Sequence, residues 1–275
     1  MNILVTLDRS YLPPLRVMLT SLILNNPGER FHVYLISDDL TQDDLRSVSR
    51  FLQRSGSAIH VIPVEEDWFR DAPTMRYYSR AMYYRLLAAQ LLPPTLDRAL
   101  YLDPDMLVIN PVRALYDTPM DGDTLYAACV HEGLVNISGP VNRIRLSAHE
   151  PHGYFNSGML LMNLPAIRRD VRPQQIFDYA KKNRQLLILP DQDILNGLYG
   201  GRIFPLDDSL YNYDARKYRE YLIASGGEKD MNWVMAHTSI LHYCGKRKPW
   251  HRRSSGRFTP LYKHYMQLTS RLCGQ

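Results

Sequence analysis

The ten residues from Tyr101 to Asn110, YLDPDMLVIN, place Asp103 and Asp105 one residue apart between apolar stretches. In an extended segment both carboxylates point to one face, while Pro104 points to the other and donates no N–H. Two like charges so close repel. A divalent cation relieves that repulsion, because hard ions take carboxylate oxygens directly. A polar turn in which one acid caps the next element is the plainer alternative, since Asp and Pro both favour turns. A second group of candidates lies in HYCGKRKPW, residues 242–250. His242 offers an imidazole that could complete an Asp, Asp, His set, Gly245 permits close backbone approach, and Lys248 offers a phosphate contact. Read alone, His242 is more often a strand-end histidine in its own hydrogen bonds. The sequence contains neither GxGxxG nor GxxxxGK[ST], so a bound nucleotide would have to be held through a metal and basic side chains.

The elements that must position these residues alternate. NILVTL reads as a strand, and PPLRVMLTSLILNN as a helix opened by proline with apolar positions at helical spacing. FHVYLIS is the next strand, and TQDDLRSVSRFLQRSG a helix that Thr41 caps and Gly56 closes. AIHVIPV completes a β-α-β-α-β start, which predicts an α/β fold with parallel strands, helices on both faces, and a ligand crevice at the carboxyl ends of the strands. MYYRLLAAQLL continues as a helix, and RALYLD is the strand that delivers Asp103 to such an end. Beyond it, TLYAACV and YFNSGMLLMNL read as strands flanking a loop over 131–154. PQQIFDYAKKNRQ and PDQDILNGLYGG read as helices.

At 275 residues and 45% hydrophobic the chain can bury a large core. The start has no basic n-region or cleavage site, and no apolar run approaches the ~18 residues of a membrane span, so export is not expected. Cys129, Cys244 and Cys273 are odd in number and lack metal-type spacing, which suits free thiols in the cytoplasm and leaves the sequon at Asn136 without meaning. Net charge is +5, yet residues 246–275 hold 8 Lys and Arg and no acid. The basicity is therefore C-terminal, and Trp250, Phe258, Tyr262 and Tyr265 interleave it. This predicts a main domain over 1–245 and a basic aromatic tail over 246–275. Such a tail either meets an anionic membrane surface or packs its aromatics on the domain; nucleic acid is not an expected partner. On the membrane reading, truncation after Trp250 should spare turnover and abolish salt-sensitive binding to anionic vesicles.

Taken in order, YLDPDMLV, YFNSGMLLMNL, LPDQDILNG and HYCGKRKPW resemble the motifs of family 8 glycosyltransferases, which include bacterial lipooligosaccharide galactosyl- and glucosyltransferases and glycogenin. The resemblance runs from Asn2 to about Trp250. It implies a GT-A fold, a Rossmann-like domain with a mixed central sheet. It also implies a UDP-sugar donor carrying glucose or galactose, Mn²⁺ or Mg²⁺, and transfer with retention of configuration. By the same resemblance Asp103, Asp105 and His242 are the metal ligands, and Lys248 and Gly245 meet the donor diphosphate. Asp8 accepts from the uracil ring, Tyr11 stacks, Arg85 contacts the donor, and Asn156, Asp191 and Gln192 hold the transferred sugar. Gln192 lies beneath the anomeric carbon. Ser10 departs from the family's common Asn, which loosens the ribose contact. Asp8 could instead cap the following helix, Arg85 could pair with an acid on a helix surface, and Asp193 reads as a helix-start acid.

The acceptor is expected to be a glycan, such as a lipid-linked surface polysaccharide or lipooligosaccharide, at the inner face of the membrane. Its contacts are expected in the loop 131–154, near His131 and Glu132. Two other classes share some of these features. A metal-dependent phosphohydrolase or nucleotidyltransferase would cluster further carboxylates for two metals. A non-catalytic carbohydrate-binding protein would more naturally have lost the acid pair.

Overall fold

A computed structural model describes residues 1–64, 81–130 and 153–273. In chain order the strands are β1 (Asn2–Thr6), β2 (His32–Ile36), β3 (Ala58–Ile62), β4 (Arg98–Leu102), β5 (Met106–Val108), β6 (Tyr126–Val130), β7 (Phe155–Asn163), β8 (Ile203–Leu206), β9 (Tyr213–Asp214) and β10 (Ile240–His242). The helices are α1 (Leu12–Leu24), α2 (Gln42–Arg54), α3 (Ala81–Leu91), α4 (Arg113–Tyr116), α5 (Leu164–Asp170), α6 (Pro173–Lys182), α7 (Pro190–Tyr199), α8 (Asp208–Tyr211), α9 (Tyr218–Ala224), α10 (Met231–His237) and α11 (Thr259–Cys273).

The expected β-α-β-α-β start forms as predicted from its pattern. Prolines occupy the first turn of α1, where a missing N–H costs nothing. At α2, Thr41 accepts from the Asp44 backbone while Asp44 accepts from the Thr41 backbone, a reciprocal cap, and Gly56 supplies the positive φ of 70° that ends the helix.

The main sheet runs β3-β2-β1-β4-β7-β6-β8. Strands β3, β2, β1 and β4 are parallel, and β7 is antiparallel to both neighbours, so the sheet is mixed. Side chains alternate between its faces. Leu4, Tyr34, Tyr101 and Leu160 join one buried cluster with α3, α5, α6 and α7, and Ile3, Val5, Leu100 and Leu161 join another with α1 and α2. The order reverses at β1, whose neighbours are β2 and β4. That switch point is where a doubly wound sheet opens its crevice, and Asp8 and Asp103 follow the two strands that border it.

A second sheet, β5-β10-β9, carries the rest of the site. Its register pairs His242 with Met106 on one side and with Asp214 on the other. The segment after Gly245 folds back on the domain. Phe258 and Tyr262 are 2% and 0% exposed and join Tyr213, Leu241 and Tyr243 in a third buried cluster. Tyr265 accepts from the Asn25 amide at 2.7 Å, and Thr269 donates to Thr20 at 3.0 Å, which fixes α11 on α1. Truncation after Trp250 would therefore remove core side chains, which weighs against the expectation that it spares turnover. No helix among the described residues is long and apolar enough to cross a membrane.

Candidate active site

Asp103 and Asp105 sit in a turn rather than in an extended segment. The Met106 N–H donates to the Asp103 carbonyl at 3.3 Å, so the chain reverses between β4 and β5. The turn, not strand alternation, brings the two carboxylates to one side. β10 then sets His242 beside them. One ligand atom from each of Asp103, Asp105 and His242 lies within 4.8 Å of the others. His242 Nε2 is 3.4 Å from Asp105 and 4.0 Å from Asp103, while Nδ1 lies 2.8 Å from Asn212 Oδ1. An oxygen acceptor at Nδ1 places a proton there and leaves Nε2 facing the two acids, where it would serve as a metal ligand in its deprotonated form. Two carboxylates and an imidazole suit a divalent ion such as Mn²⁺ or Mg²⁺, so the residues present fit the metal that the resemblance implies.

Basic groups balance the acids. Lys248 pairs with Asp105 and donates to the Tyr243 carbonyl at 3.0 Å. Arg85 reaches Asp103 at 3.1 Å and Asp191 at 3.0 Å and lies 4.8 Å over the Tyr101 ring. Burial opposes charge on either acid. At Asp105 the neighbouring His242 and Lys248 outweigh it and hold the carboxyl well below its usual range. At Asp103 burial prevails over Arg85, and with the adjacent Asp105 it pushes the carboxyl up.

Asn156, Ser157, Asp191 and Gln192 form a chain of hydrogen bonds from β7 to α7. Gln192 Oε1 accepts from Asn156 at 3.0 Å and from the Ser157 N–H at 3.3 Å, and Ser157 donates to Asp191 at 3.0 Å. Gln192 is 3% exposed, and its Nε2 is buried without a partner among the described residues. Asn212 donates to Asn156 at 2.8 Å, which links this chain to His242.

The remaining expected residues are also located. Asp8 accepts from the Ser10 N–H at 2.9 Å and caps the short 3-10 turn Arg9–Tyr11 that leads into α1, and Asp8 is exposed. Tyr11 stands edge-on to Trp250 at 5.8 Å. Gly245 has φ 84°, and a Cβ there would lie 2.6 Å from an Arg216 nitrogen. Asp193 accepts from the Ile188 and Leu189 N–H groups, the work of a helix-start acid. His131, Glu132 and the rest of 131–152 lie outside the described residues.

Sequence reasoning missed Asn212, Tyr101 and Gly158. Tyr101 donates to Asp103 at 2.5 Å, and its place two residues before the first acid was a usable signal. Gly158, inside the quoted YFNSGM stretch, backs directly onto the acids: a Cβ there would lie 2.5 Å from His242 Cε1 and 2.9 Å from Asp103 Oδ2. Gly158→Ala is expected to leave the protein folded but raise the Kd for UDP with Mn²⁺ about tenfold, since overpacking of this size costs ~1–3 kcal/mol. Titration by fluorescence checks it, and unchanged affinity would place the nucleotide elsewhere.

The model of glycosyl transferase family 8 matches residues 2–254. The chain belongs to that family. It is 27% identical over 263 residues to the lipopolysaccharide 1,2-glucosyltransferase of Escherichia coli K12, covering 92% of this chain and 73% of that protein. The lipopolysaccharide 1,3-galactosyltransferase of Salmonella typhimurium LT2 is 25% identical over 273 residues, covering 98% and 77%. The galactosyltransferase LgtC, solved with donor and acceptor sugar analogs, superposes with a TM-score of 0.82 at 24% identity, covering 98% of this chain and 96% of that one. That likeness is of fold: this family 8 enzyme has the GT-A architecture that the motif resemblance implied.

Proposed function

We propose that this family 8 glycosyltransferase moves glucose or galactose from a UDP-sugar to a glycan acceptor, with a divalent metal and with retention of configuration. The observation that carries the reading is the convergence of Asp103, Asp105 and His242 at the carboxyl end of β4, with Lys248 alongside. A bound Mn²⁺ would supply Lewis-acid stabilisation of the departing diphosphate. Lys248 and the Gly245 backbone hold phosphate oxygens, Asp8 and Tyr11 border the nucleoside, and Arg85 fixes Asp191 against the sugar hydroxyls.

Retention is inferred from the family resemblance, and the residues present bear on how it would be achieved. Gln192 is a poor nucleophile, and Arg85 engages Asp191, so neither is set for a double displacement of the glycosidase kind. Front-face substitution fits better. The bond from the anomeric carbon to the phosphate oxygen breaks as the acceptor oxygen bonds on the same face, and the acceptor proton passes to the departing phosphate oxygen. Gln192 stabilises the positive charge that develops.

Likeness to two lipopolysaccharide glycosyltransferases supports a lipid-linked bacterial glycan as the acceptor class, and with it the cytoplasmic membrane face as the place of work. Exposed Arg252, Arg253 and Arg257 add attraction to an anionic bilayer, about 1 kcal/mol for each cation held at the surface. The function is tested by a donor screen with Mn²⁺ that scores UDP release from each nucleotide sugar. Release from UDP-glucose or UDP-galactose is expected, with Gln192→Ala lowering kcat more than it changes KM. A protein that binds the sugars without releasing UDP would be a binding module.

A further inference from the structure

Beside the candidate active site lies a cavity of about 810 Å³ between the start of α9 and residues 243–259. Arg216, Arg219, Lys246, Arg247, Arg253 and Arg257 line it, and no Asp or Glu does. Lys248, which also lines it, is neutralised by Asp105, and Arg216 by Asp214. Arg219, Lys246, Arg247, Arg253 and Arg257 have no carboxylate partner among the described residues. So many like charges around one space repel unless an anion enters.

Two of the guanidinium groups are held in place. Asp214 is fully buried and accepts from Arg216 through both carboxylate oxygens, at 2.9 and 2.6 Å. Arg257 stacks 4.1 Å over the Tyr218 ring. A guanidinium fixed by a stacked ring or a bidentate carboxylate keeps further N–H groups for an incoming oxyanion, at less entropic cost than a free side chain. Tyr218, Tyr243 and Phe258, 9%, 5% and 2% exposed, belong to the buried cluster behind this space and hold its wall rigid. Gly245 and Lys248 line both this cavity and the candidate donor site, so its occupant would adjoin the departing diphosphate.

The geometry points to a binding site for a phosphate group carried by the acceptor glycan, which makes the substrate class a phosphorylated rather than a neutral saccharide. The inference rests on the transferase reading above. Guanidinium groups from three segments, around Arg219, Arg247 and Arg253–Arg257, clasp the phosphate monoester, while the sugar that bears it extends toward Gly245 and Lys248. The acceptor hydroxyl is thereby directed toward the anomeric carbon.

The test is calorimetric, on the full chain saturated with Mn²⁺ and UDP, with glucose 6-phosphate as the probe and glucose as its control. Glucose 6-phosphate is expected to bind and glucose not. In the triple variant Arg219→Gln, Arg253→Gln, Arg257→Gln the affinity for glucose 6-phosphate should fall at least about tenfold while UDP affinity is unchanged. The single variants Arg219→Gln and Arg253→Gln should each show part of the loss, which keeps the test open if the triple variant misfolds. Glucose 6-phosphate binding that survives the substitutions, or that UDP displaces, overturns the assignment. So does a variant that loses sedimentation with phosphatidylglycerol vesicles when neither protein binds glucose 6-phosphate; the cations then serve lipid headgroups. If UDP binds neither protein, the donor reading fails, and the same titration without UDP still reports on the cavity.

Discussion

Asp103→Asn, Asp105→Asn and His242→Ala are each expected to weaken Mn²⁺-dependent UDP binding at least ~100-fold while leaving the melting temperature within a few degrees of the parent. Each removes one of three ligand atoms that lie within 4.8 Å of one another, and a hard divalent ion tolerates few missing ligands. The three losses should be similar. A surface patch of acids would respond differently, with small and additive effects. The Asp105 variant also frees Lys248, whose ammonium pairs with that carboxylate, so its residual nucleotide affinity should depend more steeply on salt. Calorimetry that shows unchanged affinity in all three would move the metal site elsewhere.

The second large effect concerns the C-terminal segment. A chain ending at Trp250 is expected to lose at least ~5 kcal/mol of stability and to express as aggregate, since burial of each large aromatic side chain is worth ~3–5 kcal/mol. Phe258 and Tyr262 are both fully buried against Tyr213 and Tyr243. Urea denaturation of the truncated chain beside the full-length protein checks this. A truncated protein with an unchanged midpoint would make α11 an ornament of the fold. Membrane attraction is therefore tested with substitutions of exposed cations such as Arg252→Gln, not by truncation.

What the sequence disclosed and what it hid have physical reasons. The parallel half of the sheet was legible because each element is local: a proline-opened helix, the Thr41 cap, the Gly56 stop, and strand runs between them. Asp103 could be placed at a strand end for the same reason. The geometry of the acid pair could not, because Asp-Pro-Asp satisfies both an extended segment and a turn, and only the antiparallel pairing of β5 with β10 decides for the turn. That pairing joins residues far apart in sequence and has no local signature.

Arg85 shows the same limit. The motif match made it a donor contact and its place on a helix left a surface ion pair open; the fold turns it inward to bridge Asp103 and Asp191. Asn212 follows a short helix in a stretch without periodicity, so its role between His242 and Asn156 becomes visible only when three separate elements meet. The aromatic residues after Gly245 were ambiguous for a different reason. An apolar ring flanked by cations suits both a membrane interface and a domain surface, and burial of Phe258 and Tyr262 shows where those two rings go.

The central claim, retaining hexosyl transfer from a UDP-sugar, is tested most directly by the anomer first released. Donor is incubated with enzyme and Mn²⁺, the metal is removed by chelation within the time of mutarotation, and the proton spectrum is recorded at once. The account predicts that UDP-glucose or UDP-galactose, each α-configured, first yields α-hexose, read from the small coupling of its anomeric proton. A large coupling, showing that the β anomer forms first, would contradict it.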